Sequence, residues 1–546
     1  MSRAAPDLDL PATPVAPSTG EPGAAYDYIV VGSGFGGSVS ALRLVEKGYR
    51  VLLLEKGREL KERDFPQTNW DLKRWLWAPL LGMRGPFRMS FFRHITILSG
   101  VGVGGGSLVY ANTLATPGSE FFSAPSWAGL ADWESELGPH FATVRRMLGS
   151  TSTPMLTTPD RVLQEIAAED GHPEAFAPTE VGVYFGDAGR TVKDPYFDGQ
   201  GPDRTGCVHC GGCTLGCRFG AKNTLDRNYL HLARARGLEV LPETEVVFIG
   251  AEKGGGYRVE TRTGLSRFGR QKRVFAARGL VVSAGVLGTL SLLHKMKRRP
   301  DGLPALSDRL GHSVRTNSEA IIGVISRRRE DLSRGITIGS IITTGPGSHV
   351  EPVRYPAGAG FFRLLMAPHV EGTSAFTRIF QMFVFVLTSP IEWMRAILVP
   401  DFSRYTMMLL SMHADGATLR FLPGRWRDLS SKADGERRPT ASIPEATAIA
   451  RRVAQKIEGT PASIVSETLF NVPTTAHILG GCCMGESAAT GVIDHRHRAF
   501  GYEDLYVIDG SAISADPGVN PALTIASLAE RAMTFIAPRK TTLPVV

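Results

Sequence analysis

Tyr28-Ile-Val-Val31-Gly32-Ser-Gly34-Phe-Gly36-Gly37, with Glu55 closing the next apolar run, decides the fold of this chain. Tyr28 to Val31 reads as a short strand. Gly32 permits a tight turn, Gly34 lets backbone approach a pyrophosphate, and Gly37 lets the next helix pack close to the strand. The helix predicted from Phe35 to Lys47 aims its N-terminal N–H groups at the phosphates, and Gly48 stops it. Arg50 to Leu54 is a second strand, and Glu55 at its end can accept a hydrogen bond from a ribose 2′-hydroxyl. Strand, glycine turn, helix, strand and acid in that order predict a dinucleotide-binding α/β unit.

Further glycine-rich stretches follow. Gly100-Val-Gly102-Val-Gly-Gly105-Gly106-Ser107-Leu-Val-Tyr-Ala-Asn112 leaves room for a flat ring to lie against backbone, with amides free to bond its edge. Gly279 to Gly288 reads as a buried strand, a tight turn at Gly285 and a helix, returning the chain to the nucleotide sheet. Near the C-terminus, Asp509-Gly510 follows the strand Leu505 to Ile508, and this carboxylate can hold a ribityl or pyrophosphate-side hydroxyl. Asn520-Pro521 opens a helix whose positive end suits the anionic side of a reduced flavin. His477 sits in a glycine-rich turn of its own. Gly36 and Val246 complete the residues expected against the cofactor.

Composition agrees. A chain of 546 residues, 43% hydrophobic and 21% charged, exceeds one ordinary domain. Its net charge of +8 is spread out, with denser runs at Arg327–Arg329 and Arg425–Arg438, and no nucleic-acid motif gathers it. Residues 1–25 read as a disordered tail without the basic start and long apolar stretch of a secretory signal, so a cytoplasmic location with reduced thiols is expected. Phe361 to Pro400 is bulky and apolar. It reads as substrate-domain core, or as a wall for a greasy substrate that also touches a membrane surface.

The order Gly32-x-Gly34-x-x-Gly37, Gly102 to Ser107, Ser283-Ala-Gly285, His477 and Asn520-Pro521 resembles the glucose–methanol–choline (GMC) oxidoreductase family, over nearly all of the chain after the tail. The resemblance implies FAD and oxidation of an alcohol to a carbonyl. It implies a discontinuous Rossmann-like FAD domain (26–62, 95–118, 205–300 and 475–540). A substrate domain with an antiparallel sheet and helices would take 63–94, 119–204 and 301–474. Within the family the chain is most similar to bacterial cholesterol oxidases with noncovalent FAD. That similarity implies catalytic roles for His477 and Asn520. It adds Glu351, in Glu351-Pro-Val-Arg-Tyr-Pro356-Ala-Gly358, whose alternative is an ordinary surface acid. The implied substrate is a hydrophobic alcohol, a 3β-hydroxysteroid ahead of a long-chain fatty alcohol, with a 5-ene to 4-ene shift if Glu351 moves a proton.

Cys207-Val-His-Cys210-Gly-Gly-Cys213-Thr-Leu-Gly-Cys217 has the spacing of a ferredoxin cluster, with Arg218 where the ferredoxin pattern has Pro. A 4Fe–4S or 3Fe–4S cluster, zinc, disulfides and free thiols all stay open. A cluster would make the chain an electron-transferring dehydrogenase serving a redox carrier. Without one, oxygen is the natural acceptor.

Overall fold

The computed structural model describes residues 25–265, 270–328, 330–372, 374–425 and 428–540. The predicted tail lies outside them except for Ala25.

The fingerprint forms the expected elements. Ala25–Val31 leads through the glycine turn into helix Phe35–Glu46, and Val51–Leu54 follows. These two strands pair in parallel. Glu239–Leu241 adds in parallel outside Val51–Leu54. The long strand Gln271–Val282 pairs in parallel with Ala25–Val31 on one side and with Leu505–Val507 on the other. Its N-terminal half also continues an antiparallel run through Tyr257–Thr263 to Thr244–Ala251. Every residue of Val51–Leu54 is buried, as a parallel strand covered on both faces requires.

Helices Phe35–Glu46 and Ala522–Thr534 pack together on this sheet. Trp133–Met147 joins them, although the family pattern placed its stretch in the substrate domain. The reason is its apolar stripe at helical spacing: Trp133, Leu137, Phe141 and Val144 are buried in the same core as the first sheet.

The second sheet is antiparallel and seven-stranded. Its order is Met366–Pro368, Gly459–Ile464, Ala320–Ser326, Thr406–His413, Ser348–Val353, Ser340–Gly345 and Phe176–Pro178. Helices Thr158–Glu169 and Pro444–Lys456 cover one face, burying Val350, Ile322, Val324, Met407 and Leu409. Strand alternation sends Glu351 to the opposite face from Val350. An α/β FAD-type domain plus an α+β domain with an antiparallel sheet is therefore the architecture. Among the described residues no helix is long and apolar enough to cross a membrane.

Candidate active site

A cleft of about 780 Å³ opens at the carboxyl ends of the parallel strands. Gly32, Gly34, Glu55, Gly105, Gly106, Val246 and Gly285 line it, each a residue expected against the cofactor. Gly32 has φ +98°, and a Cβ there would lie 2.2 Å from the Ser283 carbonyl oxygen. Gly36 touches the Ile508 carbonyl and Gly37 the Gly32 carbonyl, so a Cβ would meet them at 1.7 and 2.0 Å. Gly34 differs: nothing of the protein lies within 4 Å of its missing Cβ. Gly32, Gly36 and Gly37 serve backbone packing, whereas Gly34 leaves space.

Glu55 accepts from Ser33 N and Oγ at 3.1 and 2.8 Å through Oε2, and from Gly57 N at 2.8 Å through Oε1. Ser107 Oγ donates to the Gly104 carbonyl and accepts from Leu225 N, fixing the second glycine loop. Gly102, at φ +142°, is packed under Leu108. Asp509 turns inward. Its Oδ1 accepts from Ser511 N and Oγ, and its Oδ2 from Thr289 Oγ1, joining the turn at Gly510 to helix Gly285–Lys297. Burial lifts its carboxyl above the usual range, against those hydrogen bonds. Pro521 caps helix Ala522–Thr534, one residue beyond Asn520.

Next to the cleft, whose wall includes Ile478, stands His477. Its Nδ1 lies 2.7 Å from Oε1 of Glu319, a carboxylate fully shielded from solvent. Thr475 Oγ1 and Ala476 N also donate to Glu319, at 2.8 and 2.9 Å, and His477 N donates to Thr475 Oγ1. Burial pushes the His477 imidazole down, but the charge and hydrogen bond of Glu319, with Glu351 behind, carry it above its ordinary value. Asn520 Nδ2 donates to Oε2 of Glu351 at 3.2 Å. Glu351 is 0% exposed, so it is no surface acid. Its Oε1 lies 3.5 Å from His349 Nε2 and makes no hydrogen bond among the described residues; neither does Asn520 Oδ1. The fold thus brings His477, Asn520 and Glu351 to one place.

Sequence reasoning missed Glu319, Thr475 and His349. The one signal for Glu319 is the polar run Thr316-Asn-Ser-Glu319 before an apolar strand. Asn317 and Ser318 there take positive φ of 57° and 36°, so the chain turns sharply to present the acid.

The four clustered cysteines are free thiols beneath the second glycine loop. Lys222 Nζ ties them to it, donating to the carbonyls of Leu108, Tyr110 and Cys213. Among the described residues no three His, Cys, Asp or Glu side chains are grouped to hold a metal. Cys207, Cys213 and Cys217 pack instead on Val181, Val183, Ala221 and Ile336. Burial, with Cys213 next, pushes the Cys207 thiol up to about 12. The ferredoxin-like spacing lies here on a loop anchored in apolar packing. Cys482 is buried and Cys483 half-buried, also as free thiols.

Models of GMC oxidoreductases match residues 196–296 and 409–529, and a NAD(P)-binding Rossmann-like domain model matches residues 30–61. A cholesterol oxidase of Acinetobacter baumannii is 42% identical over 94% of this chain and 95% of its own length. The chain belongs to the GMC oxidoreductase family. A cholesterol oxidase of Mycobacterium tuberculosis is 45% identical over 93% of this chain and 90% of its own. Pyridoxine 4-oxidase from Mesorbium loti shares the fold at a TM-score of 0.59, with 15% identity over 93% of this chain and 99% of that one.

Membership implies FAD, and the residues of this GMC protein fit it. Gly34 leaves open the space a pyrophosphate needs. Lys56, Arg88, Arg262 and Lys295 line the cleft beside Glu55, Glu245 and Asp428, and Lys295 pairs with Asp428 at 2.8 Å. Asn112 is wholly buried, yet neither its Nδ2 nor its Oδ1 has a partner among the described residues.

Proposed function

We propose that this GMC oxidoreductase oxidises a 3β-hydroxysteroid such as cholesterol to the 3-ketosteroid, with oxygen as acceptor. The observation that carries the reading is the buried Glu351 carboxylate beneath the Asn520 amide, close enough to His477 to act on its charge. Oxidation of a simple alcohol asks only for the histidine and the asparagine. A third, buried acid with a free oxygen suits a 5-en-3β-ol. The similarity to two cholesterol oxidases over most of the chain supports the same choice.

Bound FAD would supply the acceptor for the hydride of the carbinol carbon. His477 gives its Nδ1–H to Glu319, which leaves Nε2 to accept the hydroxyl proton. Asn520 has one amide hydrogen on Glu351 and a second for the substrate oxygen. Glu351 Oε1 then removes a proton from C4 of the 5-en-3-one and returns it at C6, and the double bond moves into conjugation with the ketone. Asp509, Gly510 and Pro521 hold the turn and helix end behind the cofactor.

The test is an anaerobic titration with cholesterol, followed by visible absorbance. Loss of the oxidised-flavin band supports the assignment. A band that stays with sterol and bleaches with a long-chain primary alcohol overturns the sterol and keeps the alcohol. Iron and acid-labile sulfide in anaerobically purified protein would instead point to the electron-transferring dehydrogenase.

A further inference from the structure

Helices Ala375–Thr388 and Pro390–Ile397 follow one another through Ser389, and Phe385 and Trp393 meet edge-on between them at 6.4 Å. Phe376, Phe380, Phe383 and Leu387 recur at helical spacing, a pattern that normally marks a core face. Here the stripe points outward: these side chains are 80, 59, 59 and 63% exposed. Ile391 and Met394 extend it at 64 and 59%. Half of the apolar stretch is therefore core and half is not. Phe362, Ala396 and Val399 are buried with Trp75, and Trp393 packs against them.

We infer that this helical pair docks on the surface of a lipid bilayer bearing anionic headgroups. Soluble surfaces rarely show so large a contiguous apolar patch. The longer helix carries one charge, Arg378, and it is buried, donating to the carbonyls of Gly372 and Leu469. Glu392 on the shorter helix is matched by Arg327 at 3.5 Å. A second apolar tip, Leu80 and Leu81, is 80 and 72% exposed. It rises from the segment that puts Trp75 into the same buried cluster, and Lys73, Arg84 and Arg74, the last paired with Asp71 at 3.7 Å, are exposed around it. Apolar tips with basic neighbours match an interface whose headgroups are negative. The longer helix has 14 residues, which at about 1.5 Å each is shorter than the roughly 30 Å of a hydrocarbon core. It lies along the interface and does not cross it. The purpose of the docking, access to a substrate that resides in lipid, rests on the sterol reading; the docking itself does not.

The test is flotation of the holoenzyme with sterol-free vesicles of phosphatidylcholine, with and without phosphatidylglycerol. The protein should float with the mixed vesicles, and high salt or omission of phosphatidylglycerol should weaken it. Phe380→Glu with Phe383→Glu and Leu387→Glu should cut binding at least about tenfold, given the apolar area withdrawn from lipid. That variant should keep its activity on detergent-dispersed sterol. Lys73→Glu with Arg74→Glu and Arg84→Glu should lower binding to the anionic vesicles only. Absence of flotation by the wild type, or equal flotation by the triple Glu variant, overturns the inference. So does a dimer in sedimentation that the triple Glu variant dissociates, because a second copy would then cover the patch. Vesicle binding without turnover on any sterol would overturn the substrate reading and leave the docking standing.

Discussion

His477 Nδ1 and Glu319 Oε1 lie 2.7 Å apart, although 158 residues separate them along the chain. The acid stands just before Ala320–Ser326, an interior strand of the second sheet, and the histidine follows a two-residue strand, Thr474–Thr475, paired with Thr96–Gly100. Glu319 also accepts from Thr475 and Ala476, so it holds backbone and ring together. The ring is thereby fixed in one tautomer, with its base character on Nε2.

Glu319→Gln should therefore move the acid limb of the kcat/KM profile to lower pH. The reasoning is one of sign. His477 titrates above its ordinary 6.5 because the charge of Glu319 outweighs burial. Neutral imidazole is the active form, so activity rises as pH passes through that value, and removing the charge lowers it. The Gln amide also admits the wrong tautomer, and kcat should fall by roughly ten- to a hundredfold. A purely structural role would lower kcat with no movement of the limb.

Asn520→Ala and His477→Ala should each slow turnover by about a hundred- to ten-thousandfold at saturating substrate. Both should retain flavin absorbance, since the cofactor cleft is lined by other residues. A variant that emerges colourless would show that the side chain serves cofactor retention first.

Glu351→Gln separates the two halves of the proposed reaction. Hydride removal needs His477 and Asn520, whereas the bond shift needs a carboxylate. The variant should release the unconjugated 5-en-3-one, visible as loss of the conjugated-enone ultraviolet absorbance while oxygen is still consumed. Normal enone formation would remove the acid from the proposal.

The glycine fingerprint was legible because Gly32, Gly36 and Gly37 each answer a local demand, a positive φ or a carbonyl at contact distance, and Gly34 leaves open space. The pair proposed for catalysis stood out for a similar reason, since His477 and Asn520 sit in turns with few other uses for them. Glu319 was not, because its partner is made by packing one domain on the other, and nothing within the short polar run announces that. The four cysteines pose the opposite case. Their spacing is local and suggestive, but Lys222 and the apolar residues around them set their environment. The apolar stretch after Phe361 was legible as periodic, yet periodicity alone does not say which side of a stripe faces water.

A buried ion pair offers a test of the second domain alone. Arg354 donates to Asp160, and both are almost fully enclosed. Burial pushes the Asp160 carboxyl up, but the charge and hydrogen bond of Arg354 bring it below the usual value. A depressed carboxylate stabilises the fold above its unfolded pKa, and that contribution is lost as pH falls through the folded one. Arg354→Ala should cost about 3–5 kcal/mol in denaturant unfolding near neutral pH, because it strands a buried charge. The penalty should shrink in acid.

Gly34 and Gly36 stand two residues apart and should fail in different ways. A Cβ on Gly36 would sit 1.7 Å from the Ile508 carbonyl oxygen, where helix Phe35–Glu46 crosses the end of strand Leu505–Val507. The helix must then move off the sheet, and Gly36→Ala should lower the melting temperature of the cofactor-free protein. A Cβ on Gly34 meets nothing of the protein within 4 Å. Gly34→Ala should leave the cofactor-free protein as stable as the wild type, to within about 0.5 kcal/mol. Its defect should appear only when FAD is added, as weaker retention on desalting and a smaller stabilisation by saturating cofactor. If Gly34→Ala bound FAD as tightly as the wild type, the space beside Gly34 would not be where the pyrophosphate lies.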